Sequence, residues 1–392
     1  MNYSISTKLF RGAVVVFVLF TMFVGSMKTE AVTVSPKWVK TLNGSLDSAE
    51  VYLDGTLHVT TYDENPYVAR YARINAYGQV LTQYKIRGAE EVYMISLTKG
   101  KFAGVCYNSS NDKEFVNVYT WSGRVLWTLE EPENCYYIDV ALTKYGNIYI
   151  LMENYTDNKV YLLKYDSMFK KVYEKEVLPV VGSYGYYYPN GLFVGEDDSV
   201  YVILSYWQNI GYWVWVSEVQ KISFDGARVW ATIFSGTSSI VSSYLYYSVY
   251  NIREVSGKVF VGVQKINETY HDGWILSVQG FVFMLDSRTG SIVWKLNLPE
   301  IVRGGDWPYI IFDVDVSSNK IYTLYSQGYS WDEIVGAVLV IDFNGNIVSA
   351  YSLNLPIPAG NVWMIRATRD GQVYLLGSEG SYTYVMGLGG LS

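Results

Sequence analysis

The chain has 392 residues, half of them hydrophobic, few of them charged, with a formal net charge of −7. That size supports a large buried core. The acidic balance excludes the basic face that a nucleic-acid partner would need.

Lys8 and Arg11 precede an unbroken apolar run over residues 12–25. This is the layout of a secretory signal, and the run is short for a spanning helix, which needs about 20 apolar residues. Gly25-Ser26 and Ala31 offer cleavage points. Residues 1–31 therefore read as a signal peptide or a retained N-terminal membrane anchor, with a buried structural helix as a third reading. No lipobox cysteine follows the run, so a bacterial lipid anchor is not expected. The mature chain is expected to be secreted or held at the cell surface, touching membrane only through this segment. Export would allow Cys106 and Cys135, the only cysteines, to oxidise. It would also expose four Asn-x-Ser/Thr sequons, at Asn43, Asn108, Asn154 and Asn267, to glycosylation.

From residue 36 onward one phrase recurs. A hairpin of the type Asp/Lys-x-Gly followed by an apolar, Tyr-rich strand appears at Asp54-Gly55, Lys99-Gly100, Tyr145-Gly146 and Asp197-Asp198. It returns at Ser256-Gly257, Ser318-Asn319 and Asp370-Gly371. After each but the last comes a second phrase, clearest at Leu285-Asp286-Ser287-Arg288-Thr289-Gly290-Ser291-Ile292-Val293-Trp294. Asp caps that turn and Gly supplies its positive φ. Each unit reads as four antiparallel strands, and such sheets repeated radially are β-propeller blades.

Seven hairpin phrases are followed by only six complete fourth strands. The last unit stops at a third strand, Tyr382–Gly387. The segment Pro36–Leu42 carries the Trp-x-x-x-Leu pattern of a fourth strand. The expected fold is all-β: a seven-bladed propeller of four-stranded antiparallel blades over residues 36–388, its last blade closed by the N-terminal strand. Closure removes exposed sheet edges.

The phrase at 285–294 resembles the repeat of the quinoprotein-like (PQQ-type) β-propellers, and looser copies cover nearly the whole mature chain. The resemblance implies a propeller whose Trp fills space between neighbouring blades. That family holds quinone-dependent dehydrogenases and non-catalytic scaffolds. The enzymes are typically eight-bladed, hold calcium through Glu and Asn, and often carry adjacent cysteines. None of those features can be matched here, so the resemblance points to the non-catalytic branch, with no cofactor.

Three constellations remain. In the first, Cys106 ends a second strand and Cys135 lies where the next blade begins, so a disulfide is expected. In the second, the hairpin spacing stretches from 45 residues early in the chain to 62 later. The added residues are rich in Tyr, Trp, Gly, Ser and Asn, the composition of recognition loops. Candidate binding residues are Tyr186, Tyr187, Trp207, Trp213, Tyr246, Tyr247, His271, Asp272, Trp274, Asp306 and Trp307, for a protein or glycan partner. Packing of these loops on one another is the alternative. In the third, Asp272, Asp306, Asp332 and Glu333 would serve a hydrolase if paired on one face. No nucleophile matches His271, His58 reads as structural, and no metal site is expected, Asp313-x-Asp315 included. A binding or scaffold module is thus favoured over an extracellular enzyme acting on polysaccharide or through a quinone.

Overall fold

The computed structural model describes residues 32–64, 67–109, 112–180, 187–209, 213–235, 243–270, 274–304, 309–328 and 335–391. The signal or anchor segment, residues 1–31, lies outside them. Two short strands open the described chain, β1 (Val32–Val34) and β2 (Trp38–Asn43).

Four-stranded antiparallel groups follow in chain order. Group 1 is β3–β6 (Ser45–Val51, Leu57–Glu64, Tyr67–Ile74, Val80–Lys85). Group 2 is β7–β10 (Glu91–Thr98, Lys101–Asn108, Lys113–Thr120, Val125–Glu130). Group 3 is β11–β14 (Cys135–Leu142, Ile148–Asn154, Lys159–Tyr165, Lys171–Glu176). Group 4 is β15–β18 (Tyr187–Val194, Val200–Asn209, Trp213–Ile222, Arg228–Phe234). Group 5 is β19–β22 (Ser243–Val255, Lys258–Tyr270, Trp274–Asp286, Ile292–Gly304). Group 6 is β23–β26 (Tyr309–Val316, Lys320–Gly328, Val335–Asp342, Ile347–Leu353). Three strands remain, β27–β29 (Val362–Ala367, Gln372–Glu379, Tyr382–Gly390). Consecutive four-stranded meanders stacked face to face are the architecture of a β-propeller.

The N-terminal strands sit on the last two groups. β2 pairs antiparallel with β29, Thr41 opposite Tyr384. β1 adds a parallel fifth strand beside β26, Thr33 opposite Ser352. Groups 4 and 5 share one sheet, because β17 meets β19 in parallel at Val214–Leu245 and Trp215–Tyr246.

Apolar cores lie between neighbouring groups, since alternate strand residues face opposite sides. Val200 and Val202 pack against Tyr149 and Leu162 on one face of group 4, while Tyr201 and Ile203 pack against Val259 and Val261 on the other. Tyr374, Leu376 and Val385 pack against Leu57 and Val59 of group 1.

The repeated phrase is a packing device. Asp286 accepts the amide N–H groups of Arg288 (3.0 Å) and Thr289 (2.9 Å), and Gly290 turns at φ +70°. The indole of Trp230, in the preceding group, lies on that glycine: a Cβ there would stand 2.6 Å from the ring. Trp230 Nε1 then donates to Ser287 O at 3.0 Å. Trp38 repeats the arrangement on Gly78 and donates to Ala76 O at 3.0 Å. Trp294 donates to Phe343 O at 3.0 Å. Where the turn glycine is lost, Phe169 takes the positive φ (66°) and stacks on Trp127 at 5.5 Å.

The cysteines are free thiols in this structure, not the expected bridge. The pleat explains it. Cys106 faces Tyr71 and Ala69 of group 1, whereas Ala103 and Val105 of the same strand face the core that contains Cys135. The sheet of group 2 stands between the two sulfurs. Burial pushes the Cys106 thiol up to about 12.

Candidate binding site

The stretched repeats prove to be longer strands as well as loops. All four strands of group 5 run 13 residues. Bulges between Val249 and Asn251, and between Gln279 and Phe281, bend this sheet. Its upper half meets β17, so one continuous sheet runs from β15 across β16 and β17 to β19.

An aromatic row crosses that sheet. Tyr188 on β15 is exposed and lies 5.3 Å, centroid to centroid, from Trp215 on β17. Trp215 meets Trp207 on β16 edge-on at 5.3 Å, and Trp207 meets Tyr246 on β19 at 5.6 Å. Trp207, Trp215 and Tyr246 are half-buried. Exposed Asn190 flanks the row and donates to Ser205 Oγ, while the Ser205 and Ser217 hydroxyls, 2.7 Å apart, are buried beneath it. The opposite face of the same strands carries Leu204, Tyr206, Val214 and Val216, all core. Edge-on contacts of Trp207 with Trp215 and Tyr246, and a tilted contact of Tyr188 with Trp215, orient the rings, so the row presents apolar area at small entropic cost.

Of the residues expected from sequence, Trp207 and Tyr246 join this row. Tyr187 is buried in the core beside Leu204 and Tyr206, because it is one position out of phase with Tyr188. Tyr247 is half-buried against the cores on both sides of group 4. Trp213 and Trp274 are strand residues paired with Asn209 and Tyr270; their side chains lie outside the described set. So do Tyr186, His271, Asp272, Asp306 and Trp307, with Asp332 and Glu333. Tyr188 and Trp215 were missed as individual sites. The i, i+2 phase of Trp213-Val214-Trp215 and Trp207 was the available signal.

Inward carboxylates occur, but arginines and backbone amides hold them. Arg253 Nε donates to Asp315 at 2.9 Å and its Nη2 to Glu50 at 3.0 Å. Arg366 Nη1 donates to Asp313 at 2.8 Å and its Nε to Ala49 O at 2.8 Å. Asp313 and Asp315 each accept an amide from β27, of Ile365 and Ala367, both at 2.9 Å. They are strand residues that tie neighbouring first strands, not turn residues. Burial works against the Arg253 charge, yet Glu50 and Asp315 more than offset it and raise its pKa. Asp139 accepts Leu192 N–H at 2.7 Å, and burial raises its carboxyl to about 7. Among the described residues no group of His, Cys, Asp and Glu is arranged to hold a metal ion.

His58 is buried between Tyr71 Oη (2.5 Å) and Thr56 Oγ1 (3.0 Å), as a structural residue would be. Burial, then the Arg73 charge, lowers it to about 3.

The sequons share a location. Asn108 and Asn154 end second strands, Asn267 lies near the end of another, and Asn43 pairs with Tyr382 at the turn after β28. Asn43, Asn108 and Asn154 therefore flank turns between second and third strands, and Asn267 lies inside β20, paired with Leu245 and Ser277, toward the same end of the sheets.

No family model matches the chain, and no curated protein matches it. Among solved structures, the polysaccharide lyase Uly1 is similar at 10% identity, over 88% of this chain and 90% of that one, with a TM-score of 0.52. The Dos1 propeller is similar at 11% identity over 91% and 96%, TM-score 0.49. A protein of unknown function from Bacteroides caccae is similar at 14% over 80% and 93%, TM-score 0.41. At such identities likeness concerns the fold and carries no activity across. The consecutive four-stranded antiparallel sheets support a β-propeller.

Proposed function

We propose that this chain is an exported, non-catalytic binding module of the cell surface, built as a closed ring of seven blades. The packing of β28 and β29 against group 1, and the seat of Trp38 on Gly78, support closure. Reading groups 4 and 5 as two blades joined by a short parallel seam supports the count of seven. The aromatic–glycine seats are consistent with a non-catalytic, quinoprotein-like propeller. The apolar run at 12–25 supports export, through a cleaved signal or a retained anchor. The four sequons, gathered at one end of the sheets, suit glycosylation.

The observation that carries the binding reading is the row Tyr188–Trp215–Trp207–Tyr246. It is an aromatic shelf beside the exposed amide of Asn190, and such surfaces engage proteins and glycans. The inward carboxylates count against the enzyme reading, since each described one is held by an arginine or an amide. A glycan array and a pull-down from cell-surface extract, run with wild type and with Trp207→Ala and Trp215→Ala, test this. The expected result is one ligand class lost at least about tenfold in both variants. Unchanged capture by correctly folded variants would sink the proposal.

A further inference from the structure

In each antiparallel group the turns from first to second strand and from third to fourth strand lie at the same end of the sheet. Groups 1 and 3 carry apolar tips there. Among the described residues the four most exposed large hydrophobic side chains are Tyr77 (81%), Met168 (79%), Leu53 (71%) and Tyr145 (66%), and each stands in one of these turns. Group 4 adds Phe224 (54%), whereas the matching tips of groups 5 to 7 are polar: Ser256, Arg288, Ser318, Asn344 and Asp370. Such turns need Gly, Asp, Asn or Ser and gain nothing for the fold from an apolar side chain that faces water.

The tips of groups 1 to 3 are neighbours. Tyr52, beside Leu53, meets Trp121 in the turn of group 2 edge-on at 5.0 Å. On the other side of group 2, Trp127 stacks on Phe169, beside Met168, and the Lys101 ammonium stands 5.8 Å from the Phe169 ring.

Charge follows the same axis. The turns of groups 1 to 3 at this end expose Lys99, Arg124, Lys144 and Lys170, and their carboxylates are Asp54 and Asp166. Both acids serve their own turns: Asp54 accepts Thr56 N–H, and Asp166 accepts Met168 N–H and Lys170 N–H, each at 2.9 Å. At the opposite end of the same groups, exposed Glu64, Asp112, Glu130, Glu133 and Asp157 outnumber Lys85, Arg87 and Lys113. A chain of net charge −7 thus presents one cationic, apolar-tipped end. The sequons Asn108 and Asn154, and the aromatic shelf near the turn from β16 to β17, lie at the other end.

We propose that this end of groups 1 to 3 rests on a lipid bilayer that carries anionic headgroups. Leu53, Tyr77, Tyr145 and Met168 enter the headgroup layer, and Lys99, Arg124, Lys144 and Lys170 meet phosphate oxygens. Tyr is enriched where lipid meets water, and basic side chains there are drawn to anionic lipid. A protein partner fits less well, because Lys is depleted at protein interfaces and these apolar side chains stand singly on separate turns. Docked this way, the sequons and the shelf face away from the membrane. The contact extends the cell-surface reading and needs neither the shelf nor the closed ring.

Ser167→Cys, beside Met168, and Asp157→Cys, at the opposite end of the same group, test it in the whole chain. Each is labelled with a polarity-sensitive fluorophore, and unsubstituted chain treated alike gives the background of the buried cysteines. Vesicles are phosphatidylcholine alone or an equal mixture with phosphatidylglycerol. The label at 167 is expected to shift to the blue on mixed vesicles, at lipid concentrations at least about tenfold below those needed with phosphatidylcholine alone. The label at 157 should not shift. Combining Lys99→Glu, Arg124→Glu and Lys170→Glu should raise the lipid required at least about tenfold, with circular dichroism confirming the fold. Trp207→Ala should dock as wild type, which separates this face from the shelf. Attachment through residues 1–31 alone would shift neither label and would overturn the proposal. So would shifts at both positions, equal response to the two vesicles, or unchanged docking of the charge-reversed chain. No shift on either vesicle would leave the face to a protein partner.

Discussion

Glu50 and Arg253 are 203 positions apart in the chain and meet at 3.0 Å. The contact links the first and fifth groups directly, and Asp315 holds the same guanidinium at 2.9 Å. Removing one partner of such a pair leaves uncompensated charge. Arg253→Met strands two carboxylates and is expected to cost about 3–5 kcal/mol. Glu50→Gln leaves Arg253 paired with Asp315 and should cost nearer about 1–2 kcal/mol. Urea denaturation of both variants checks the ranking; equal losses would show that the link to Glu50 carries the whole effect.

Two turn glycines separate backbone strain from packing. Gly100 (φ +75°) has nothing within 4 Å of a Cβ, whereas Gly290 (φ +70°) has Trp230 at 2.6 Å. Gly100→Ala should cost about 1 kcal/mol, the strain of a positive φ. Gly290→Ala should cost about 2–4 kcal/mol, because the indole must also move. Thermal unfolding of the two variants provides the comparison.

The N-terminal strands protect an edge. Deleting residues 32–43 uncovers β29 and the outer side of β26, and exposed edges pair with other chains. Size-exclusion chromatography should show aggregates for the deletion. Trp38→Ala keeps the strand and should remain monomeric, losing about 3–5 kcal/mol in denaturation.

His58 makes stability depend on pH in a definite direction. Its folded pKa, about 3, lies below the ordinary value of 6.5. The unfolded chain therefore takes the proton first as pH falls. Stability from this site is complete above about pH 6.5 and is lost toward pH 3, by up to about 4 kcal/mol. Asp139, whose folded pKa is raised to about 7, acts oppositely: its share is complete below the ordinary carboxylate pKa and declines as pH rises toward 7. Unfolding curves for wild type and His58→Gln from pH 3 to 7 isolate the histidine, and only the wild type should show the extra acid loss.

The thiols should behave as two buried cysteines. Native protein should react slowly with a thiol reagent at both Cys106 and Cys135, and unfolded protein should yield two thiols per chain. Reductant should leave the melting temperature unchanged. One thiol or none after unfolding under non-reducing conditions would refute the geometry.

Period and phase alone made much of the architecture legible. Turn glycines and Asp caps act within a few residues, so four-stranded units, their hairpins and the fourth-strand character of Trp38 could be read locally. The pairing of β2 with β29 followed from counting strands, since a unit that stops at a third strand needs a fourth from elsewhere. Pleat and long-range pairing were not legible in the same way. Cys106 and Cys135 lie close in topology, yet the tertiary structure puts a sheet between them. Tyr187 and Tyr188 are adjacent in sequence, and one is core while the other is surface. Arg253 could not be matched to Glu50 because nothing local records a contact 203 residues away. The bending of group 5 onto β17, which sets Trp215 beside Tyr246, depends on bulges whose positions no hydropathy pattern marks. Short-range hydrogen bonding determined the unit; the side toward which each side chain turned was decided only when the units packed, because burial is a property of neighbours and not of sequence.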